Sequence, residues 1–220
     1  MAGEELILLN FWPSMFGARV KIALAEKGLR YEEKEEDLPY KSRLLRKMNP
    51  IYKKVPVLIH NGKPVCESLI IVEYIDEVWS DRVPLLPSHP YERAQARFWA
   101  DYIDKKIYRA ANIISWHSKY EVEEGKKELM EALKQLEGVL GDKAYFGGEV
   151  FGFVDIALMG FYMCFHTYET CANFSIEVEC PKLMEWGKRC FKRETVSKSL
   201  AGPNKICDLV MSSRKKFGLD

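Results

Sequence analysis

Between Leu6 and Val78 short strand-like and helix-like segments alternate, whereas nearly everything after Pro90 carries apolar residues at helical spacing. The change predicts two domains, 1–82 and 91–220, joined by a linker over 83–90. In the first, 6–11 reads as a buried strand, 16–27 as an amphipathic helix closed by Gly28, and 31–34 as a second strand. Segments 57–60 and 63–66 flank Asn61-Gly62, the dipeptide that best accepts positive φ at both central positions of a type I′ turn, and so predict a hairpin. A helix over 68–78 completes the order strand, helix, strand, loop, strand, strand, helix.

Pro84, Pro87 and Pro90 fix φ and withhold backbone donors, so the linker cannot continue a helix. Pro90 suits the first position of a helix whose apolar positions run through Ala94, Phe98, Tyr102, Ile103, Ile107, Ala110, Ala111 and Ile114. Leu129, Leu133, Leu136 and Leu140 mark a second long helix ended by Gly141. Segment 151–170 is apolar on nearly all sides yet contains Asp155, His166 and Glu169, which predicts a buried central helix rather than a membrane span. Further helices are expected from Pro181 and Pro203.

Composition narrows the picture. The chain has 220 residues, 47% of them hydrophobic, enough for a packed globular core, and 33 Lys and Arg against 32 Asp and Glu leave a charge of +1. Without a strong field, neither nucleic acid nor an anionic membrane is an expected partner, and Lys126-Lys127 and Lys215-Lys216 read as solvated faces. The start Met-Ala-Gly-Glu-Glu lacks the basic and apolar regions of a secretory signal, so a cytoplasmic location is expected. Cys66, Cys164, Cys171, Cys180, Cys190 and Cys207 form no C-x-x-C pair, and the four histidines are scattered, so no metal is expected and the thiols read as reduced and mostly buried.

Candidate chemistry gathers in the first domain. Ser14 ends the strand-to-turn run Phe11-Trp12-Pro13 just before a helix, where it reads either as an N-cap or as a hydroxyl facing an anion at the helix N-terminus; Gly17 three residues on means no capping box. Val55-Pro56-Val57 sets a proline where a strand begins: either an ordinary strand opening, or an edge whose free Val55 backbone takes an extended peptide beside a cis bond at Pro56. Ser68 can cap the next helix and Glu67 lie exposed, or the two can grip the carboxylate and amine of an amino acid. Lys41 and Lys54 face solvent or hold a second carboxylate. The ligand that satisfies all of these has a carboxylate at each end, an amine and a thiol that must become a nucleophile, which is glutathione.

Phe11-Trp12-Pro13-Ser14, Lys53-Lys54-Val55-Pro56-Val57-Leu58, Asn61-Gly62-Lys63-Pro64 and Cys66-Glu67-Ser68 together resemble the N-terminal domain of plant tau-class glutathione transferases. The likeness continues through Arg97-Phe98-Trp99-Ala100-Asp101-Tyr102 and Gly152-Phe153-Val154-Asp155-Ile156-Ala157. It implies an α/β thioredoxin-like domain followed by an all-α domain, a homodimer, and a detoxifying transferase that joins glutathione to apolar electrophiles, with hydroperoxide reduction as a secondary activity. The alternative is a non-catalytic carrier of hydrophobic ligands or glutathione conjugates.

By the same resemblance, Ser14 donates a hydrogen bond to the glutathione sulfur, Val55 pairs with the cysteinyl backbone before a cis Pro56, Glu67 and Ser68 clamp the γ-glutamyl unit, and Lys41 and Lys54 meet the glycyl carboxylate. Glutathione is then a co-substrate and no cofactor is required. Serine rather than cysteine at position 14 favours conjugation over thiol transfer. The electrophile is expected between the domains, against Met15, Phe16, Leu38, Tyr108, Asn112 and Cys164, where Met15 and Cys164 replace a more frequent proline and tryptophan. Asp155 is expected to be structural, behind a Gly152 N-cap, and Asp76 or Glu77 to meet Arg93 or Arg97 of a second subunit.

Overall fold

In the computed structural model, which describes residues 5–219, the chain forms two compact units, one up to Leu86 and one from Pro87 onward. Residues 1–4, on which the reading of the N-terminus rests, lie outside the described residues.

The first unit is built on a mixed sheet in the order β2-β1-β3-β4, with β1 at Leu6–Asn10, β2 at Glu32–Glu35, β3 at Val57–His60 and β4 at Lys63–Cys66. β1 runs parallel to β2 and antiparallel to β3, and β3 to β4 is the hairpin expected around Asn61 (φ 49°) and Gly62 (φ 76°). Three helices accompany the sheet, α1 at Met15–Glu26, α2 at Arg43–Met48 and α3 at Ser68–Val78. Leu9, Val57 and Ile59 pack with Leu45 of α2, while α1 and α3 pack on each other. Leu6 and Leu8 point to the opposite side of the pleat from Leu9 and are buried as well, which is why β1 reads as a continuous apolar run.

Residues 35–56 are expected as a loop, but α2 lies within them. Ser42 caps α2 by accepting from the Leu45 amide at 2.9 Å, and a helix of only Arg43–Met48 is too short to display a period. The expected helix at 16–27 is α1 with Lys27 as its C-cap; Gly28 comes next at φ 60°, and the Leu29 amide returns to the Leu24 carbonyl at 2.9 Å, the ending that a left-handed glycine permits. Asp76 turns inward. Its carboxylate meets the buried Lys27 ammonium at 2.7 Å and accepts from the Leu85 amide at 2.8 Å and the Leu86 amide at 3.1 Å, so both oxygens are already used within one chain, whereas Glu77 is exposed.

The second unit is helical: α4 at Pro90–Tyr102, a π-helical stretch at Ile103–Ile107, α5 at Tyr108–Trp116, α6 at Lys119–Leu140, α7 at Phe153–Tyr162, α8 at Phe165–Ala172, α9 at Ile176–Glu179, α10 at Pro181–Phe191, α11 at Glu194–Ser197 and α12 at Pro203–Phe217. The single helix expected through Ile114 is therefore interrupted by the wider π turns, in which Ile103 and Ile107 stay buried. The single helix expected over 151–170 is likewise two, because at Cys164 the backbone tightens and its amide bonds the Phe161 carbonyl three residues back, at 2.9 Å. α7 is the buried centre, with Gly152 as N-cap and its amide donating to Asp155 Oδ2 at 2.9 Å. Among the described residues no helix is long and apolar enough to cross a membrane.

Candidate active site

The chain leaves β1 at Asn10 and enters α1 at Met15, so residues 11–14 turn from sheet to helix. Ser14 is the N-cap, with extended backbone, its carbonyl accepting from the Ala18 amide at 2.9 Å and its Oγ from the Gly17 amide at 3.0 Å. Gly17 removes the reciprocal half of a capping box but not this bond, which needs only a backbone N–H. The two readings of Ser14 are thus compatible. Capping occupies one lone pair of the hydroxyl and leaves its hydrogen free to donate.

Acidic residues in and beside β2, which the sequence reading passes over, brace this turn. Glu33 accepts from Asn10 Nδ2 at 2.7 Å, Glu35 accepts from the Trp12 amide at 2.8 Å, and the Glu36 amide donates to the Asn10 carbonyl at 2.7 Å. Their signal is a cluster of like charges on a strand of a nearly neutral chain, which is unfavourable unless donors face it. The turn is also tightly packed: a Cβ on Gly17 would lie 1.8 Å from Asn10 Oδ1. Gly17→Ala is expected to cost about 1–3 kcal/mol by overpacking, measured by urea unfolding, and adding Asn10→Ala should recover part of that loss.

The buried carboxylate of Glu36 accepts from the Ser42 amide at 3.0 Å and the Ser42 hydroxyl at 2.6 Å, fixing the segment that carries the half-buried Lys41. Lys54 is exposed, with its carbonyl held by Asn49 Nδ2 at 3.0 Å while Asn49 Oδ1 accepts from the Tyr52 amide at 3.2 Å. Asn49 is buried and does not stand out in the sequence. The Val55–Pro56 peptide bond is cis. β3 is an interior strand, not the edge that a leading proline suggests; the edges are β2 and β4. Val55 stays clear of the ladder because it lies before Val57, where pairing with both neighbours begins.

At the head of α3, Glu67 is the N-cap and Ser68 the first helical residue, which corrects the expectation that Ser68 caps. Glu67 has φ 70° and ψ 119° and makes no side-chain cap bond, so the first amides of α3 lack a capping side chain, an arrangement suited to an anion. Ser68 is buried and its Oγ accepts from Nη1 of the fully buried Arg19 at 3.2 Å. Arg19 escapes the sequence reading because one cation on an apolar helix face reads as snorkelling. The positive φ of Glu67 costs on the order of 1–3 kcal/mol. Glu67→Gly is therefore expected to leave unfolding stability unchanged or raised by up to about 2 kcal/mol, since relief of this strain outweighs the entropic cost of glycine of about 1 kcal/mol, while ligand binding at α3 weakens; calorimetry and denaturant unfolding of one sample check both.

None of the cysteines with a displaced pKa is poised as a nucleophile. Burial and the neighbouring Glu67 raise Cys66, and burial pushes Cys180 up to about 11, Cys164 up to about 12 and Cys190 higher still. Of the expected electrophile contacts, Met15 and Phe16 open α1 beside Ser14 and are half-buried, and Leu38 lies between β2 and α2. In the second unit Tyr108 and Asn112 lie one turn apart at the start of α5, with the Tyr108 ring 6.4 Å from that of Phe161. Cys164 is buried next to Tyr168. Among the described residues no group of three or more His, Cys, Asp and Glu is placed to hold a metal ion.

Two family models match the chain, the glutathione S-transferase N-terminal domain over residues 4–77 and the C-terminal domain over residues 98–194. The chain is 63% identical to the probable glutathione S-transferase parC of Nicotiana tabacum across 100% of both chains, and 61% identical to glutathione S-transferase U25 of Arabidopsis thaliana across 99% of this chain and 98% of the other. Its structure is similar to that of rice GST1, solved in complex with glutathione, with a TM-score of 0.94 and 43% identity over 99% of each chain. It is also similar to a tau-class glutathione S-transferase from mango, at a TM-score of 0.88 and 39% identity, covering 94% of this chain and 97% of that one.

Proposed function

From the premise that the chain belongs to the tau class of the glutathione S-transferase family, we propose that it conjugates glutathione to apolar electrophiles by using the Ser14 hydroxyl to stabilise the glutathione thiolate. The observation that carries this reading is the hydroxyl itself: its oxygen is engaged by the Gly17 amide, and its hydrogen is left to donate at the N-terminus of α1.

The energetics suffice. A free thiol of pKa about 8.5 is mostly protonated at neutral pH, and lowering it by about two units takes about 2.7 kcal/mol of preferential thiolate stabilisation. A hydrogen bond to the charged sulfur contributes roughly 1.5–3 kcal/mol and a helix N-terminus about 0.3–1 kcal/mol. Acceptance from Gly17 polarises the Ser14 O–H and strengthens it as a donor. Ser14 does not ionise, and holding both reactants in one site supplies much of the remaining acceleration.

In the same proposal the Val55 backbone pairs with the cysteinyl unit beside Pro56, Glu67 and Ser68 grip the γ-glutamyl end at α3, and Lys41 and Lys54 attract the glycyl carboxylate. Met15 and Phe16, next to Ser14 in the chain, and Leu38 of the same unit contact the electrophile. Reduction of organic hydroperoxides by the bound thiolate is a secondary activity, and the working form is a homodimer, which light scattering at micromolar concentration tests. The decisive experiment compares steady-state turnover of glutathione and a chlorinated dinitrobenzene with calorimetric binding of glutathione alone. Turnover supports the transferase, whereas tight binding without turnover of this or any other aryl or alkyl electrophile would favour a carrier.

A further inference from the structure

We infer that Asn10 is a positioning residue for the reaction, acting through Gly17 to set the direction of the Ser14 hydroxyl. The inference rests on the role of Ser14 proposed above. Asn10 is the last residue of β1 and lies on the same side of the pleat as Leu6 and Leu8, opposite to Leu9. Its exposure is only 1%, so both ends of its amide call for partners within the protein. Nδ2 donates to Glu33 Oε1 at 2.7 Å, and since a carboxylate only accepts, this bond fixes which end of the amide faces β2. Oδ1 is turned to α1, where it is buried and meets no N–H or O–H among the described residues. It meets Gly17 instead. A Cβ there would lie 1.8 Å from Oδ1, so the glycine hydrogen that takes its place points at this oxygen in a Cα–H···O contact. A buried acceptor without a conventional donor is unfavourable, so the stability of the sheet alone does not account for Asn10.

Gly17 is also the residue whose amide donates to Ser14 Oγ at 3.0 Å. The carboxylate that holds Asn10 holds α1 one turn further on, because Glu33 Oε2 pairs with Lys21 Nζ at 3.3 Å and Lys21 follows Gly17 by one helical turn. Asn10, Glu33, Lys21 and Gly17 thus close a ring that joins the end of β1, β2 and the first turns of α1. The Glu36 amide anchors this ring by donating to the Asn10 carbonyl at 2.7 Å. So braced, α1 does not slide along the sheet, and the Gly17 N–H stays on one lone pair of Ser14. The hydroxyl hydrogen is then directed away from that amide and toward the sulfur. Without the ring the Gly17 amide drifts from Oγ, and the hydroxyl turns to other acceptors. A hydrogen bond weakens steeply with misalignment, so a small displacement is felt at the thiolate.

The test uses the full chain, glutathione, and S-methylglutathione, which keeps every group of the peptide except the ionisable thiol. Thiolate absorbance titrated against pH gives the pKa of bound glutathione in the native chain, Asn10→Ala, Ser14→Ala and the double variant, and calorimetry gives the Kd of S-methylglutathione. Asn10→Ala is expected to raise the pKa of the bound thiol by about 0.5–1, which is roughly three- to tenfold less thiolate at a pH below it. It should leave the Kd of S-methylglutathione within about twofold and add little to the rise already caused by Ser14→Ala, because the two residues act through one hydrogen bond. A bound thiol of native pKa in Ser14→Ala overturns the role of Ser14 and this inference with it. If Ser14→Ala raises the pKa but Asn10→Ala does not, or raises it equally with and without the serine, the role of Asn10 alone is overturned. The same holds if Asn10→Ala weakens S-methylglutathione as strongly as it depletes the thiolate, which marks a general loosening of the site. Should Asn10→Ala not fold, Asn10→Leu fills a similar volume at a buried strand end but lacks the bond to Glu33, and it is judged by the same comparisons.

Discussion

Ser14→Ala is expected to lower kcat/KM for glutathione conjugation by at least about tenfold while glutathione still binds, because tenfold corresponds to roughly 1.4 kcal/mol and the lost bond to the thiolate is worth that or more. The same change removes the cap of α1, in which Oγ accepts from Gly17 at 3.0 Å, so stability should fall by about 1 kcal/mol. Loss of activity could then be blamed on a frayed helix. Ser14→Asp separates the two roles. A carboxylate caps well and sits favourably at a helix N-terminus, so unfolding stability should stay near that of the native chain. It has no hydrogen to give at neutral pH and repels a thiolate, so turnover should drop below that of Ser14→Ala and the pKa of the bound thiol should rise. Thiolate absorbance of the glutathione complex titrated against pH, beside urea unfolding of both variants, reads the two effects independently. An aspartate variant that keeps native turnover would remove hydrogen-bond donation from the mechanism.

The residues that such experiments address differ in how legible they are from sequence. Asn61-Gly62 announces its hairpin because few dipeptides accept φ of 49° and 76° in succession. β1 and α7 are visible as apolar runs because both are covered on all sides. α2 is not visible, being shorter than two helical turns, and the π turns at Ile103–Ile107 are not, because they keep the apolar spacing that a continuous helix would show. Ser14, Glu67 and Ser68 stand out by their places between a strand and a helix, yet none is separable from an ordinary cap until they are taken together with Val55-Pro56. Arg19 and Asn49 are silent, and Glu35 shows only as one of a cluster of acids whose partners the sequence does not name. Arg19 bonds the Ser68 hydroxyl and Glu35 the Trp12 amide, and no local pattern encodes a partner brought near only by the fold, whereas Asn49 bonds the Lys54 carbonyl five residues on, in an irregular turn that has no period.

The largest loss of stability should result from Asp155→Ala. Asp155 is completely buried and accepts from the Gly152 amide at 2.9 Å, the Phe146 amide at 3.0 Å and Trp186 Nε1 at 2.7 Å, so it joins the head of α7, the chain before it, and α10. Alanine leaves these buried donors without an acceptor, and at about 1–3 kcal/mol for each buried group, reduced by relaxation and entry of water, the net cost is about 3–5 kcal/mol. Asp155→Asn should cost less, because its carbonyl oxygen still accepts while its amide faces a donor. The pH dependence adds a sign. Burial raises the carboxyl from 3.8 to about 6, against the N–H donors that favour its ionised form. The native state thus holds this proton more tightly than the unfolded chain, so the group's contribution is most favourable below the unfolded pKa and declines as pH rises through about 6. The stability of the native chain relative to Asp155→Asn, which cannot titrate, should accordingly shrink between about pH 4 and 6 and then level off. Urea unfolding of both proteins across that window measures it, and a difference that instead grows with pH would mean that the three donors outweigh burial and hold Asp155 as a carboxylate throughout.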